Sequence, residues 1–183
     1  MMTDKYQNKY RIPSARLKGY DYGQNGAYFI TICTKNHIHF FGKIINGEMQ
    51  LNEIGQLAEK YWAEIPHHFS FVELGAFVIM PNHVHGILII NKPVETLQCN
   101  VSTRTTNDNP NKNEKMAKIS PKSGTISTII RSYKSAVTKY VRPIHADFTW
   151  QTRFHDHIIR NNTAYNKIEN YIIDNPKNWI EDK

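Results

Sequence analysis

Two histidines set two residues apart, His83 and His85, stand inside the apolar run Phe77-Val-Ile-Met-Pro-Asn-His-Val-His-Gly-Ile-Leu-Ile-Ile90. The run is rich in β-branched residues and predicts a strand. Residues i and i+2 of a strand share a face, so the two imidazoles project side by side while Val84 points away. Two imidazoles so placed can hold one metal ion from one rigid element. The spacing also arises by chance, and the chain carries a second copy, His155-Asp-His157. The first copy differs in its setting. Apolar residues flank it on both faces, so the strand is expected to be central and covered on both sides, and burying two imidazoles there needs a reason.

A second set of reactive groups lies near the C-terminus. Thr163 to Pro176 predicts a helix that ends at the proline. At about 100° per residue, Tyr165, Ile168 and Ile172 define its inward face. Tyr171 and Asn175 fall on that face as neighbours, four residues apart. One reading makes Tyr171 a core tyrosine with a satisfied hydroxyl and Asn175 a C-terminal cap. The other docks this face on the histidine strand. Asn175 would then offer an oxygen to the same metal, and Tyr171 would stand beside it as a nucleophile. That constellation suits phosphodiester cleavage. A metal offsets charge on the reacting phosphate. A phenol attacking phosphorus forms a covalent intermediate, which conserves the bond energy for rejoining.

Several elements must position these groups. Ala27 to Thr34 predicts a strand by composition, and Asn46-Gly47 between Lys43-Ile-Ile45 and Glu48-Met-Gln-Leu51 predicts a two-residue hairpin. Residues 52–65 have helical spacing, with Asn52 as N-cap and Pro66 closing the helix. Strand-like runs at 69–79 and 82–91 join at Met80-Pro-Asn82. Residues 92–124 form a polar loop too long to be a plain connection. Residues 125–142 predict the clearest amphipathic helix, with an apolar stripe of Ile126, Ile129, Ile130, Tyr133, Val137 and Tyr140. Arg131, Lys134, Thr138 and Arg142 line another of its faces, a solvated surface or a row of phosphate contacts.

At 183 residues the chain is expected to form one domain spanning 1–183, with the 92–124 loop as its irregular part. A net charge of +7 favours a polyanionic partner, nucleic acid first and an anionic membrane surface second. No apolar run has transmembrane length, and the N-terminus lacks an apolar signal core, so the expectation is a cytoplasmic protein with no membrane partner. Two cysteines, Cys33 and Cys99, give no disulfide framework or cysteine-based zinc site. In residues 1–26, cations including Arg11, Arg16 and Lys18 alternate with tyrosines. This is either a solvated arm or a surface on which bases of single-stranded nucleic acid stack.

Four stretches together resemble the REP-associated tyrosine transposases, within the single-tyrosine HUH transposases of insertion sequences. Arg16-Leu-Lys-Gly-Tyr-Asp-Tyr-Gly-Gln-Asn-Gly-Ala-Tyr-Phe-Ile-Thr31 looks like the family opening. Met80-Pro-Asn-His-Val-His-Gly86 looks like the HUH motif, with Val84 as its bulky apolar residue. Trp150-Gln-Thr-Arg-Phe-His-Asp-His-Ile-Ile-Arg-Asn161 is similar to the W-Q-x-R segment, and Tyr171-Ile-Ile-Asp-Asn-Pro176 to the Y-x-x-x-N-P end. The likeness covers nearly the whole chain outside the 92–124 loop.

The resemblance implies an α+β, ferredoxin-like (RRM-like) domain with helices on an antiparallel sheet. It implies Mg²⁺ or Mn²⁺ held by His83, His85 and Asn175, with Tyr171 as the nucleophile that leaves a 5′-phosphotyrosine. It implies cleavage and rejoining of single-stranded DNA beside palindromic hairpins, hence transposition and DNA recombination. Relatives are monomers or homodimers that exchange the tyrosine helix. Candidate DNA contacts are Arg11, Arg16, Lys18, Arg131, Lys134, Arg142, Arg153 and His157; His157 is open to structural support or DNA contact. Tyr133 and Tyr140 are lesser nucleophile candidates, because their helix places them in its apolar stripe. The alternative reading is a domesticated or inactive protein that binds DNA hairpins without cutting. A degenerate copy should have lost His83, His85, Tyr171 or Asn175, and all four are present. Replication nickases of the wider group are expected to be longer, and the H-x-E with P-C-x-x-C of zinc deaminases is absent.

Overall fold

The computed structural model describes residues 17, 19–93 and 123–179. Arg11, Arg16 and Lys18, and residues 94–122 of the polar loop, lie outside the described residues.

Four strands make one antiparallel sheet. They are β1 (Gly26–Cys33), β4 (Val72–Met80), β5 (His83–Ile90) and β6 (His155–Ile159), in the spatial order β4-β5-β1-β6. Helix α1 (Glu53–Ala63) lies between β1 and β4 in the chain, and α3 (Ile126–Val141) between β5 and β6. This βαββαβ order is the ferredoxin-like arrangement, so the expected α+β class holds. A small hairpin, β2 (Gly42–Ile45) and β3 (Glu48–Leu51), stands apart from this sheet, and a last helix, α4 (Asn162–Asp174), follows β6. No described helix is long and apolar enough to cross a membrane.

Local chemistry accounts for the boundaries. Asn46 and Gly47 both have positive φ, 53° and 78°, as the tight hairpin turn requires. The Asn52 side chain accepts from the Gly55 amide at 2.9 Å and so caps α1. Asn161 caps α4 in the same way through Ala164 at 2.8 Å. Pro66 does not close the predicted 52–65 helix. That helix ends at Ala63, and Pro66 sits in the first turn of a four-residue helix, α2 (Ile65–His68), where a missing amide hydrogen costs nothing. The next strand consequently starts at Val72 rather than Phe69.

The two faces of the sheet are unequally covered. Strand alternation sends Tyr28, Ile30, Ile32, Val84, Leu88 and Ile90 to one face, where the apolar sides of α1 and α3 bury them in the main core. The opposite face carries a smaller cluster, in which Ile87, Ile159 and Ile172 are buried under α4. In register, Cys33 pairs with His83, Thr31 with His85 and Phe29 with Ile87, and on the other side Thr31 pairs with His155 and Phe29 with His157. Directly paired residues share a face. Both histidine pairs therefore lie on the α4 side of the sheet.

Gly86, which follows His85, faces the main core. A Cβ there would come within 2.3 Å of the Trp62 ring, and Trp62 is fully buried. The glycine of this motif lets α1 press its indole against the back of the histidine strand. Gly86→Ala is expected to destabilise the fold by about 1–3 kcal/mol through overpacking, read as a lower urea midpoint. An unchanged midpoint would mean that the indole can move aside.

Candidate active site

The site starts from two imidazoles, His85 buried and His83 half-buried. His83 and His85 leave β5 on the same face with ring centroids 4.4 Å apart. His85 is only 6 % exposed. Burial, with His37 nearby, pushes His83 down to about 4, and burial, with His83 and His155 nearby, pushes His85 down to about 3. Both rings are therefore neutral near pH 7, each with one protonated nitrogen and one lone pair.

Each Nδ1 has a partner. The His83 Nδ1 lies 2.7 Å from the Asn82 Oδ1, and the His85 Nδ1 lies 2.9 Å from the Thr31 Oγ1. The Nε2 of His85 is 3.3 Å from the hydroxyl of Tyr171. Phe29, next to Thr31 on the same face of β1, stacks on His85 at 5.2 Å and meets Tyr171 edge-on at 6.1 Å. Trp179, just past α4, covers His83 from a centroid distance of 5.7 Å and also contacts His39.

Helix α4 brings Tyr171 here because Ile172, its neighbour, is fully buried on the sheet, with Tyr165 and Ile168 packing beside it. Tyr171 is 51 % exposed. It is thus a rim residue with its hydroxyl turned to His85, and the core-tyrosine reading does not hold. Asn175, one turn further on, is half-buried in right-handed helical conformation, and its carbonyl accepts from the Asn178 amide at 3.2 Å.

The remaining sequence candidates divide by face. Tyr133 is buried in the main core with its hydroxyl donating to the Ala58 carbonyl at 3.1 Å. Tyr140 is 47 % exposed and stacks on Tyr61, outside the apolar stripe expected for it. Both belong to α3, across the sheet from the histidines. Arg131 and Arg142 are exposed on α3, and Arg142 borders a shallow groove with Lys134, Ser135, Thr138 and Lys139. The Lys134 ammonium reaches the carbonyls of Gln151 at 2.5 Å and Arg153 at 3.3 Å, and burial lowers its pKa to about 8. It straps α3 to the segment that enters β6. His155 and His157 are exposed on β6, on the histidine face, and Arg153 is exposed just before it.

The donor set fits a divalent ion. Two neutral imidazoles whose Nδ1 atoms have partners would offer Nε2 to a metal when the proton sits on Nδ1. Among the described residues no group of three His, Cys, Asp or Glu side chains gathers at metal-holding distance, so a third protein ligand would have to be of another type, such as the Asn175 carboxamide. Sequence reading missed Thr31, Asn82, Phe29 and Trp179. Phe29 and Thr31 were findable, since β1 alternates and both point to the histidine face. Trp179 carries no sequence signal beyond following Pro176.

The depressed histidines give a pH dependence. Unfolded histidine has a pKa near 6.5, so between about 6.5 and 4 the unfolded chain binds more protons than the folded one. Metal-free stability should be full above pH 6.5 and fall below it, by at most about 1.4 kcal/mol per pH unit for each group. Urea titrations from pH 7.5 to 4.5 in chelator should show this limb, and His85→Gln should make it shallower. An equal slope in the variant would show that His85 is not held neutral by the fold.

No protein-family model matches the chain. An uncharacterized protein of Haemophilus influenzae is 40% identical over 187 residues, covering 100% of this chain and 98% of that protein. A REP-associated tyrosine transposase, solved bound to a REP hairpin, superposes with a TM-score of 0.56 over 92% of this chain and 77% of that one, at 20% identity. The chain belongs to one family with the Haemophilus influenzae protein, and its fold is that of the REP-associated tyrosine transposase.

Proposed function

We propose that this protein is a tyrosine transposase that cuts and rejoins single-stranded DNA beside hairpins, with Tyr171 as nucleophile and Mg²⁺ or Mn²⁺ held by His83, His85 and Asn175. The observation that carries the reading is the Tyr171 hydroxyl 3.3 Å from the His85 Nε2, on the rim of two neutral imidazoles. A phenol fixed for packing alone has no need to meet a ligating nitrogen. The fold likeness to a hairpin-bound transposase supports the same reading, as does a net charge of +7.

Bound at the two imidazoles, the metal supplies Lewis-acid polarisation of the scissile phosphate. The chain's own residues do the rest. Phe29 and Ile172 fix the direction of Tyr171, and its half-exposed ring leaves DNA a path to the hydroxyl. The Tyr171 oxygen forms a bond to phosphorus, the bond from phosphorus to the 3′ oxygen breaks, and the phenolic proton ends on that oxygen. The products are a 5′-phosphotyrosine and a free 3′-hydroxyl. Attack by a 3′-hydroxyl on the phosphotyrosine reverses the exchange and joins the strands. His157, at the β6 edge of the same face, and Arg153, just before β6, are in this reading phosphate contacts for the DNA. Arg131 and Arg142, with the Lys134 strap, would add a cationic surface on the α3 side of the sheet.

Single-stranded oligonucleotides from palindromes flanking the gene, incubated with Mg²⁺ or Mn²⁺, should give a covalent protein–DNA band on a denaturing gel. Tyr171→Phe should lose the band entirely and retain hairpin binding. A band that survives would move the nucleophile elsewhere. Hairpin binding with no band from the wild type would favour the inactive-binder reading. Hairpin affinity should fall by at least about tenfold between 50 and 200 mM salt if several phosphates are neutralised. A flat response would remove the nucleic-acid assignment.

A further inference from the structure

We infer that Asn82 is a positioning residue that holds His83 in one tautomer, with the proton on Nδ1 and the Nε2 lone pair turned to the site. The inference rests on the metal-site reading above.

The contact has one chemical sense. The Asn82 Oδ1, 2.7 Å from the His83 Nδ1, is a carboxamide oxygen and can only accept, so the imidazole must donate. The amide is not free to turn over. Its Nδ2 donates to the His37 carbonyl at 3.1 Å. A flipped amide would set its oxygen against the His37 carbonyl oxygen, losing that bond for a repulsive contact whichever nitrogen of His83 carries the proton. His85 is held less strictly, because the Thr31 hydroxyl beside its Nδ1 can donate or accept.

Asn82 is itself built in. It is 2 % exposed. The backbone amide of Thr34 donates to its carbonyl at 2.9 Å, and the Thr34 hydroxyl lies 2.9 Å from the same oxygen. Thr34 is fully buried, and its hydroxyl is also 2.8 Å from the Ile38 carbonyl. Asn36 and His37 both adopt positive φ, 56° and 54°, in the tight turn that brings the His37 carbonyl to the amide. A buried carboxamide with its oxygen, nitrogen and backbone carbonyl all engaged is a rigid reference for the ring beside it. Its orientation is set by the loop after β1, independently of any ligand. A protonated Nδ1 with a fixed acceptor also makes the opposite nitrogen a better donor to a metal.

Nitrogen-detected NMR of the metal-free full-length protein, at a pH where His83 is neutral, reads the tautomer directly. Wild type should show His83 protonated on Nδ1. Asn82→Leu should show both tautomers and bind Mn²⁺ about 10–100-fold more weakly by calorimetry. Asn82→Asp, which keeps an acceptor at Oδ1 but favours imidazolium, should raise the His83 pKa and still show the Nδ1 proton at a pH where the ring is neutral. An Nε2-protonated His83 in the wild type overturns the inference without any variant, so a poorly folding Asn82→Leu does not shield it. A single tautomer and wild-type Mn²⁺ affinity in Asn82→Leu also overturn it. If His83→Ala loses Mn²⁺ binding while Asn82→Leu does not, the positioning role falls and the metal reading stands. If His83→Ala binds Mn²⁺ as wild type does, the metal reading falls and the purpose assigned to Asn82 falls with it.

Discussion

Two imidazoles with ring centroids 4.4 Å apart, one buried and one half-buried, each disfavour the charged form. Much of the site follows from that constraint. A charged pair would repel and lose its hydration together, so the surroundings have to favour the neutral form. They do so with few charged groups: Phe29 stacks on one ring, Trp179 covers the other, and uncharged partners meet both Nδ1 atoms. A carboxylate in place of the Asn82 amide or the Thr31 hydroxyl would stabilise imidazolium instead. The same neutrality that makes burial tolerable leaves the lone pairs that a divalent ion would use.

The unequal covering of the sheet separates stability from chemistry. On one face α1 and α3 bury the large cluster that includes Trp62, Tyr133, Val84 and Leu88. On the other, α4 rests on a much smaller set around Ile87, Ile159 and Ile172. The strand carrying the histidines is thereby fixed from behind, while the helix carrying Tyr171 is held by few buried apolar contacts. Elements of low local stability are those that open most readily. The half-exposed Tyr171 is thus carried by the more readily opened layer and the histidines by the packed one.

Much of this arrangement is legible from residue order, and the limits have physical causes. The β5 alternation, the Asn46-Gly47 turn and the Asn52 cap are set by neighbours in sequence, and each is found where short-range rules put it. Pro66 misleads because proline is equally at home ending one helix and opening the next, and only tertiary packing decides. Tyr140 fits the apolar spacing of its helix, yet the buried stripe runs through Val137 to Val141, and the Tyr140 ring stacks on Tyr61 outside it. Lys134 reads as one of a row of cations, and its attachment to the carbonyls of Gln151 and Arg153 depends on a segment 17 and 19 residues away. Asn82 looks like a turn residue; its role appears only once the loop after β1 closes over it.

The edges of the sheet carry a consequence for association. β4 and β6 are its outer strands. The β4 ladder is interrupted by a register shift between Leu74 and Phe77, with Gly75 leaving room for the Tyr165 hydroxyl. β6 is five residues long and begins His155-Asp-His157, with both imidazoles exposed. A foreign strand laid along either border would find a broken row of amides on one side and a short, polar stub on the other. Neither border therefore offers copies of the fold a long, regular edge on which to stack into fibrils.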